Sequence, residues 1–325
     1  MDSRAELIDQ VRVLLAQTGF AVSERCEVRP ISFDVVARRD NRLLILKILG
    51  NVDALTDRVA QELRTLAKFL GGTPLLLGER SGGGPLEEGV AYVHRGIPVL
   101  TVATLKELLV ENNPPVAEAA PGGLNVRLDG RRLRQIREER ALSLGALAEA
   151  VGVSRRAIQM YEEGMRATVQ AALRLEAFLG EPLVAPIDPF DLFRPARDAE
   201  ESSAAKRTST FEEQVFRMLQ SVGFDVVPTV QSPFDALAHR GEQARTAILT
   251  GVHPETDAST PRRARLLSSI ASVTERDGMM VVRQEVRVTN LQGTPVLQPK
   301  DLDRIRDPAE LKTLIDERKK RPPVE

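Results

Sequence analysis

The stretch "LSLGALAEAVGVSRRAIQMYEEG", Leu142 to Gly164, decides how this chain is read. Leu144, Leu147 and Ala148 fall on one helical face behind Ser143, a residue type suited to cap a helix start. Val151-Gly152-Val153 interrupts the pattern, and Gly152 can take the positive φ that a sharp reversal needs. Ser154 then caps "RRAIQMYEEG", with Ala157, Ile158 and Tyr161 as its core positions. The second helix therefore opens on two adjacent arginines, Arg155 and Arg156, whose purpose the rest of the chain must explain.

Helical spacing extends on both sides. In "DGRRLRQIREERA", Leu133 and Ile136 form an inward face, and a last helix from Val169 to Leu179 buries Ala172, Leu175, Phe178 and Leu179 before Gly180. Residues 124–184 thus read as a central all-α bundle. They resemble the helix-turn-helix domain of Cro and phage-repressor type regulators. The resemblance rests on "LRQIREERALSL", Ala148 near the turn, Gly152–Ser154, Ile158, Tyr161–Gly164 and "LRLEAFLGEPL". It implies that the helix after the turn enters the major groove with its N-terminal residues at base edges. By position, Arg155 and Arg156 become the leading base or phosphate contacts, with Gln159 and Met160 on the same exposed face. Ser154 would cap the helix and touch phosphate; Arg166 and the first-helix arginines Arg131, Arg132 and Arg134 would meet the backbone. Glu162 and Glu163 lie farther along and need not face DNA. The family usually has Gln where this chain has Leu144, so one phosphate contact is missing.

The chemistry agrees with that implication. An arginine fork pairs bidentately with guanine O6 and N7, worth about 1–3 kcal/mol of discrimination. Neighbouring helical residues project about 100° apart, so one arginine can read a base while the other holds phosphate. Residues 124–184 hold ten arginines, no lysine and eight carboxylates, a net of +2. So small a surplus makes affinity lean on dimerisation and on where the charges sit.

Two breaks delimit this segment. "NNPPVAEAAPGG" (112–123) and the polar run within 185–210, "RPARDAEESSAAKRTST", read as linkers. Outside them lie two arms, 1–111 and 211–318, with a basic tail over 319–325. The arms resemble each other: "DQVRVLLAQTGFAV" (Asp9 to Val22) matches "EQVFRMLQSVGFDV" (Glu213 to Val226) at a constant offset of 204. In both, an amphipathic helix stops at a glycine and a strand follows. A strand opened by Phe-Asp (Phe33–Asp34, Phe234–Asp235), a polar turn and an apolar strand come next. Each arm then repeats helix and strand, giving an αβββαβ-like order and a small α/β domain with a sheet flanked by helices. The economical reading is an internal duplication. "RSGGGPLEEG" (Arg80 to Gly89) lacks the lysine and helix start of a phosphate-cradling loop and reads as flexible surface.

The first arm also resembles the restriction-endonuclease-like fold, including archaeal Holliday-junction resolvases. Those enzymes need an Asp on one strand and an acidic-x-Lys on the next, so that carboxylates hold Mg²⁺ while Lys helps activate water. Asp34 and Lys47 fit, but Ile45 stands at the acidic place; in the second arm Asp235 remains beside Ile248 and Thr250. One carboxylate beside an aliphatic strand cannot build that site, so both arms are expected to be inactive scaffolds, with no catalytic residue, metal or cofactor.

Composition sets wider bounds. The 325 residues carry a net charge of −1, so any nucleic-acid contact must be local. Aromatic content of 4% without Trp argues against base-stacking recognition of single strands. Cys26 is the single cysteine, which fits a reducing cytosol and rules out an intramolecular disulfide; His94, His239 and His253 lack metal-ligand spacing. No apolar run approaches the ~20 residues of a membrane span, and no targeting signal opens the chain. The whole most resembles an archaeal family of helix-turn-helix transcriptional regulators. The expectation is a cytoplasmic homodimer that binds a double-stranded DNA operator, with arms that dimerise, contact flanking DNA or sense an unknown small-molecule effector. Two other readings stay open: a DNA-structure-directed nuclease, and a protein-interaction adaptor that never meets DNA.

Overall fold

A computed structural model describes residues 4–26, 31–194, 208–241 and 247–323. The chain forms two compact units that divide between residues 76 and 77 and again between 194 and 195. The first arm therefore does not stay whole: its last third belongs with the helix-turn-helix, and its beginning belongs with the C-terminal arm.

In the first unit, helix α1 (Arg4–Gln17) buries Ile8, Val11 and Leu15 and leaves through Gly19 at φ +85°. Strands β1 (Ala21–Val22), β2 (Val35–Arg39) and β3 (Arg42–Asn51) form an antiparallel meander, with Val35 opposite Leu46 and Ala21 opposite Arg38. Six consecutive buried residues in β3, Leu43 to Ile48, show that both of its faces are covered. Helix α2 (Asp57–Leu70) is capped by Thr56, and β4 (Thr73–Ser81) carries the chain into the second unit.

There the run read as a flexible glycine loop is a tight hairpin, β4 turning through Gly82–Gly83 into β5 (Gly84–Pro85). Strands β6 (Val90–His94) and β7 (Ile97–Leu100) form a second hairpin, followed by α3 (Val102–Lys106) and a π-helical turn over Glu107–Glu111. The expected linker at 112–123 contains β8 (Ala117–Ala120), parallel to β6 with Val90 opposite Ala117. The bundle is likewise not all-α. Strand β9 (Gly123–Leu128) precedes helices α4 (Gly130–Glu139), α5 (Leu144–Val151) and α6 (Arg155–Glu162). Strand β10 (Ala167–Thr168), helix α7 (Val169–Leu179) and β11 (Val184–Ala185) complete it, both strands pairing with β9. Val126 and Leu128 of β9 pack with Leu133, Ile136, Leu147, Val151, Ile158 and Leu175 in one core. The sheet thus supplies a wall that four short helices could not provide for themselves. Phe178, expected inside, is 45% exposed: it lies toward the solvent edge of α7, while Leu175 and Leu179 hold the core face. A 3₁₀ turn, Pro189–Leu192, ends this unit; residues 195–207 of the second expected linker lie outside the described residues.

The C-terminal arm returns to the first unit. Helix α8 (Thr210–Val222) starts with a capping box between Ser209 and Glu212 and ends at Gly223, φ +102°. Strands β12 (Asp225–Pro228), β13 (Ala236–His239) and β14 (Ile248–His253) form a second antiparallel meander. After α9 (Thr260–Thr274), strand β15 (Asp277–Val282) lies parallel to β14. Strands β16 (Asn290–Leu291) and β17 (Thr294–Leu297) extend the sheet in the order β12-β13-β14-β15-β17-β16. Helices α10 (Pro299–Leu302) and α11 (Pro308–Lys319) close the arm. The start of the basic tail is tied down: Arg318 pairs with Asp301 at 2.9 Å, and the Asn290 amide donates to the Arg318 and Arg321 carbonyls.

The arms repeat their hydrogen bonds as well as their residues. The Phe20 N–H donates to Leu15 O at 3.0 Å and the Phe224 N–H to Leu219 O at 3.1 Å. The Asp34 and Asp235 amides each donate across the meander at 2.8 Å, to Leu46 O and Thr250 O. Both carboxylates accept from a strand amide through Oδ2, Asp34 from Ile48 and Asp235 from Val252, each at 2.8 Å. Within the unit the arms also grip each other reciprocally. Arg38 of β2 donates to Val273 O and Thr274 O at the end of α9, while His239 of β13 stacks on Phe69 near the end of α2, centroids 4.4 Å apart.

Candidate nucleic-acid interface

Three local devices set the helix pair. Ser143 Oγ accepts from the Ala146 amide at 3.0 Å and starts α5. Gly152 ends it in the left-handed conformation, φ +67°, where a Cβ would also lie 2.9 Å from Arg174 Nη1. Ser154, extended at φ −76° and ψ 152°, accepts from the Ala157 amide at 3.0 Å and starts α6. Its hydroxyl proton is left to donate outward. Ile158, 0% exposed, then anchors α6 in the core, and Leu144 packs half-buried against the same core.

With Ile158 and Glu162 inside, 100° steps put Arg156, Met160 and Glu163 on the outer side and Gln159 on its flank, while Arg155 lies in line with the buried face at the exposed first position of the helix. Arg155 and Arg156 are both exposed, and neither makes a hydrogen bond or ion pair among the described residues. Gln159 Nε2 donates to Glu163 at 3.0 Å, and Met160 is half-buried. The proposed backbone contacts differ in kind. Arg131 is exposed and unengaged among the described residues. Arg132 reaches Glu181 at 3.2 Å, Arg134 reaches Glu162 at 3.2 Å, and Arg166 lies 2.7 Å from Glu118. Those three are engaged with carboxylates of their own domain in the free protein.

Glu162 and Arg137 matter more than their sequence positions suggest. The Glu162 side chain is 1% exposed, and Arg137 Nε donates to it at 2.6 Å with Arg134 adding a second contact. Burial pushes the Glu162 pKa up, but the hydrogen bonds from Arg137 and Arg134 outweigh it and the net shift is downward. The carboxylate therefore bolts α6 to α4. Beside it the helices nearly touch: a Cβ on Gly130 would sit 2.5 Å from Tyr161 O and 2.6 Å from Glu162 O. A signal was available, since Glu162 stands four residues after Ile158 on the buried face.

The Phe-Asp strand start of the first arm has a different character. Asp34 is fully buried; Oδ1 receives Arg4 Nη2 at 2.6 Å and lies 3.8 Å from Lys47 Nζ, while Oδ2 receives the Ile48 amide. Ile45, where a second carboxylate would be needed, is 0% exposed among aliphatic neighbours. A guanidinium already occupies the position facing the carboxylate, so these residues do not fit a divalent cation. No group of three or more His, Cys, Asp and Glu suited to a metal occurs among the described residues. Cys26, buried beside this cluster, has its thiol pKa pushed up by burial and by the Asp34 charge. No helix of the described residues is long and apolar enough to cross a membrane.

Comparison with known proteins bears on both regions. Residues 4–115 match the PD-(D/E)XK superfamily domain, and residues 133–185 match the Helix-turn-helix family. No solved structure matches the chain. A protein of Halorubrum lacusprofundi, named "Putative HTH-type transcriptional regulatory protein", is 40% identical over 98% of this chain and 99% of its own length. Proteins of the same description from Haloquadratum walsbyi and Methanocella arvoryzae are 39% and 37% identical, covering 98% and 96% of this chain and 99% and 96% of their own. With Cro-type helices, a nuclease-like arm and full-length similarity in agreement, the chain belongs to this archaeal family of HTH-type transcriptional regulatory proteins.

Proposed function

We propose that the protein is a sequence-specific double-stranded DNA-binding regulator of transcription, acting in the cytoplasm, and that α6 reads the operator in the major groove. The observation that carries this is the unspent pair Arg155–Arg156 at the front of a capped helix, in a domain whose other α4 and α6 charges are largely paired. Arg156 and Gln159 face base edges, Arg155 reads a base or grips phosphate, and Ser154, Met160 and Arg131 contact the groove walls or backbone. Arg132, Arg134 and Arg166 could reach phosphate only by loosening their present carboxylate contacts. The net charge of only +2 over residues 124–184 favours a homodimer on half-sites about one helical turn apart.

The arms are read as a duplicated, non-enzymatic scaffold. Support for duplication lies in the shared offset of 204 and in the matched bonds of Asp34 and Asp235. Their reciprocal grip amounts to a dimer-like pair inside one chain, so arm-to-arm pairing through that face is already satisfied. The non-enzymatic reading rests on the Arg4-neutralised Asp34, and Mg²⁺-dependent cutting of duplex, fork or junction DNA, abolished in Asp34→Ala, would overturn it.

The decisive experiment is selection from random duplexes with the wild type and with Arg155→Ala/Arg156→Ala, followed by affinity measurement at fixed salt. The wild type should enrich one near-palindromic sequence. The double variant should bind it about 10- to 100-fold more weakly for each base-reading arginine lost. Uniform binding to all sequences, unaffected by the substitutions, would overturn this reading, and absence of duplex binding would leave the adaptor reading instead.

A further inference from the structure

The second unit carries an open groove of about 650 Å³ on the sheet face opposite the helical core. Ala117 and Ala119 of β8, with Val126 and Leu128 of β9, pack into that core, so strand alternation turns Glu118 and Arg127 to the other face. Arg166, just beyond α6, reaches the groove from one side, and Asp191 and Arg194 line it from the 3₁₀ turn and the residues after it.

The groove's charges are incompletely matched. Arg127 and Arg194 make no hydrogen bond or ion pair among the described residues. Glu118 is 6% exposed, and Arg166 Nη2 stands 2.7 Å from its Oε2. That approach is close in distance but wrong in angle, so the buried Oε2 accepts no hydrogen bond. The carboxylate is thus paired in charge with Arg166 but lacks the aligned N–H donor that a buried oxygen ordinarily has. Two guanidinia without a partner among the described residues suit an oxyanion; the carboxylate oxygen that Arg166 approaches off-axis suits an aligned N–H or O–H donor.

We infer that this groove binds a small zwitterion, its oxyanion held by Arg127 and Arg194 and its ammonium donating to Glu118. The volume lies within the range of small-molecule sites. The ligand's ammonium would take over Glu118 and release Arg166, which follows Gly164 (φ +91°) at the exit of α6. Occupancy of the groove is thereby felt at the DNA-reading helix. That coupling rests on the regulator reading above; the binding itself does not.

The test is calorimetric titration of the full chain without DNA, using O-phosphoethanolamine and inorganic phosphate at equal ionic strength. One saturable site is expected for O-phosphoethanolamine, with phosphate at least tenfold weaker. Arg127→Ala should weaken both ligands tenfold or more, and Glu118→Gln should erase the preference while phosphate still binds; unchanged melting temperatures show that each variant is folded. Equal affinity for the two ligands, or binding indifferent to Arg127→Ala, overturns the assignment. So does the absence of saturable binding together with weakened DNA binding in Arg127→Ala, which would make the groove a contact for the DNA backbone. Because the titration contains no DNA, ligand binding that survives in Arg155→Ala/Arg156→Ala supports the groove even where no operator is found.

Discussion

Asp34 and Arg156 are both charged residues near the start of a structural element, and the protein treats them in opposite ways. Asp34 is enclosed, with each oxygen satisfied by a guanidinium or a strand amide. Arg156 is exposed at the front of α6, with no intramolecular partner among the described residues. A charge that has been fully matched inside the fold does structural work and has nothing left to offer a ligand. A charge that the fold positions but does not match keeps its interaction energy for a partner. By that criterion we read the nuclease-like arm as scaffold and the helix-turn-helix as the working surface, even though the arm carries the sequence more reminiscent of chemistry.

The comparison predicts opposite mutational signatures. Asp34→Ala should cost about 2–4 kcal/mol, because it strands Arg4, Lys47 and the Ile48 amide around a void. Arg156→Ala should leave stability within about 0.5 kcal/mol while weakening operator binding. Denaturant unfolding and binding isotherms on both variants check this. A stable Asp34→Ala, or an Arg156→Ala that unfolds early, would break the distinction.

The helix-turn-helix was legible because its instructions are local. Ser143, Gly152 and Ser154 each act within a few residues, and the inward positions keep helical spacing. What failed was non-local. The "VAEAA" run looks like linker until β6 is brought beside it, since its small side chains carry little strand propensity and its pairing partner is Val90. β9 reads as part of a purely helical segment because its hairpin partner β8 carries little strand propensity and its other partners, β10 and β11, are two residues long and distant along the chain. Phe178 departs from the expected inward position because spacing defines a face only to within a residue, and Leu175 and Leu179 already fill it. At the site, motif position singles out Arg155 and Arg156, both exposed and unengaged among the described residues, but does not show which first-helix arginines are already engaged. That depended on Glu162, an acid on a buried face.

A gentler way to sharpen the contrast is to disturb the positioning and leave the arginines in place. Gly130→Ala puts a methyl against the Tyr161 and Glu162 carbonyls, backbone atoms that cannot rotate away. The expected cost is about 1–3 kcal/mol, taken up by separating α4 from α6. Hydrogen exchange should quicken in both helices, and DNA affinity should fall with Arg155 and Arg156 intact. Unchanged exchange would mean that the Glu162 bolt tolerates a wider spacing.

The smallest expected effect lies in the C-terminal arm and follows pH. His253, at the end of β14, has its pKa lowered from an ordinary value near 6.5, chiefly by burial and against the pull of Asp235. Arg263 also lowers it, while Asp257 and Glu212 oppose that. The unfolded chain therefore takes up a proton here at a pH where the folded chain does not. Stability from this group is complete above the ordinary value and declines as pH falls below it, until the folded histidine also protonates. The melting temperature should thus slip between neutral and mildly acidic pH, and His253→Gln should flatten that slope without touching DNA affinity at neutral pH. If the slope persists in the variant, the acid sensitivity belongs to paired carboxylates such as Glu162, whose lowered pKa places its own loss of stability at a lower pH. The two regions can then be told apart by the pH at which each one loosens.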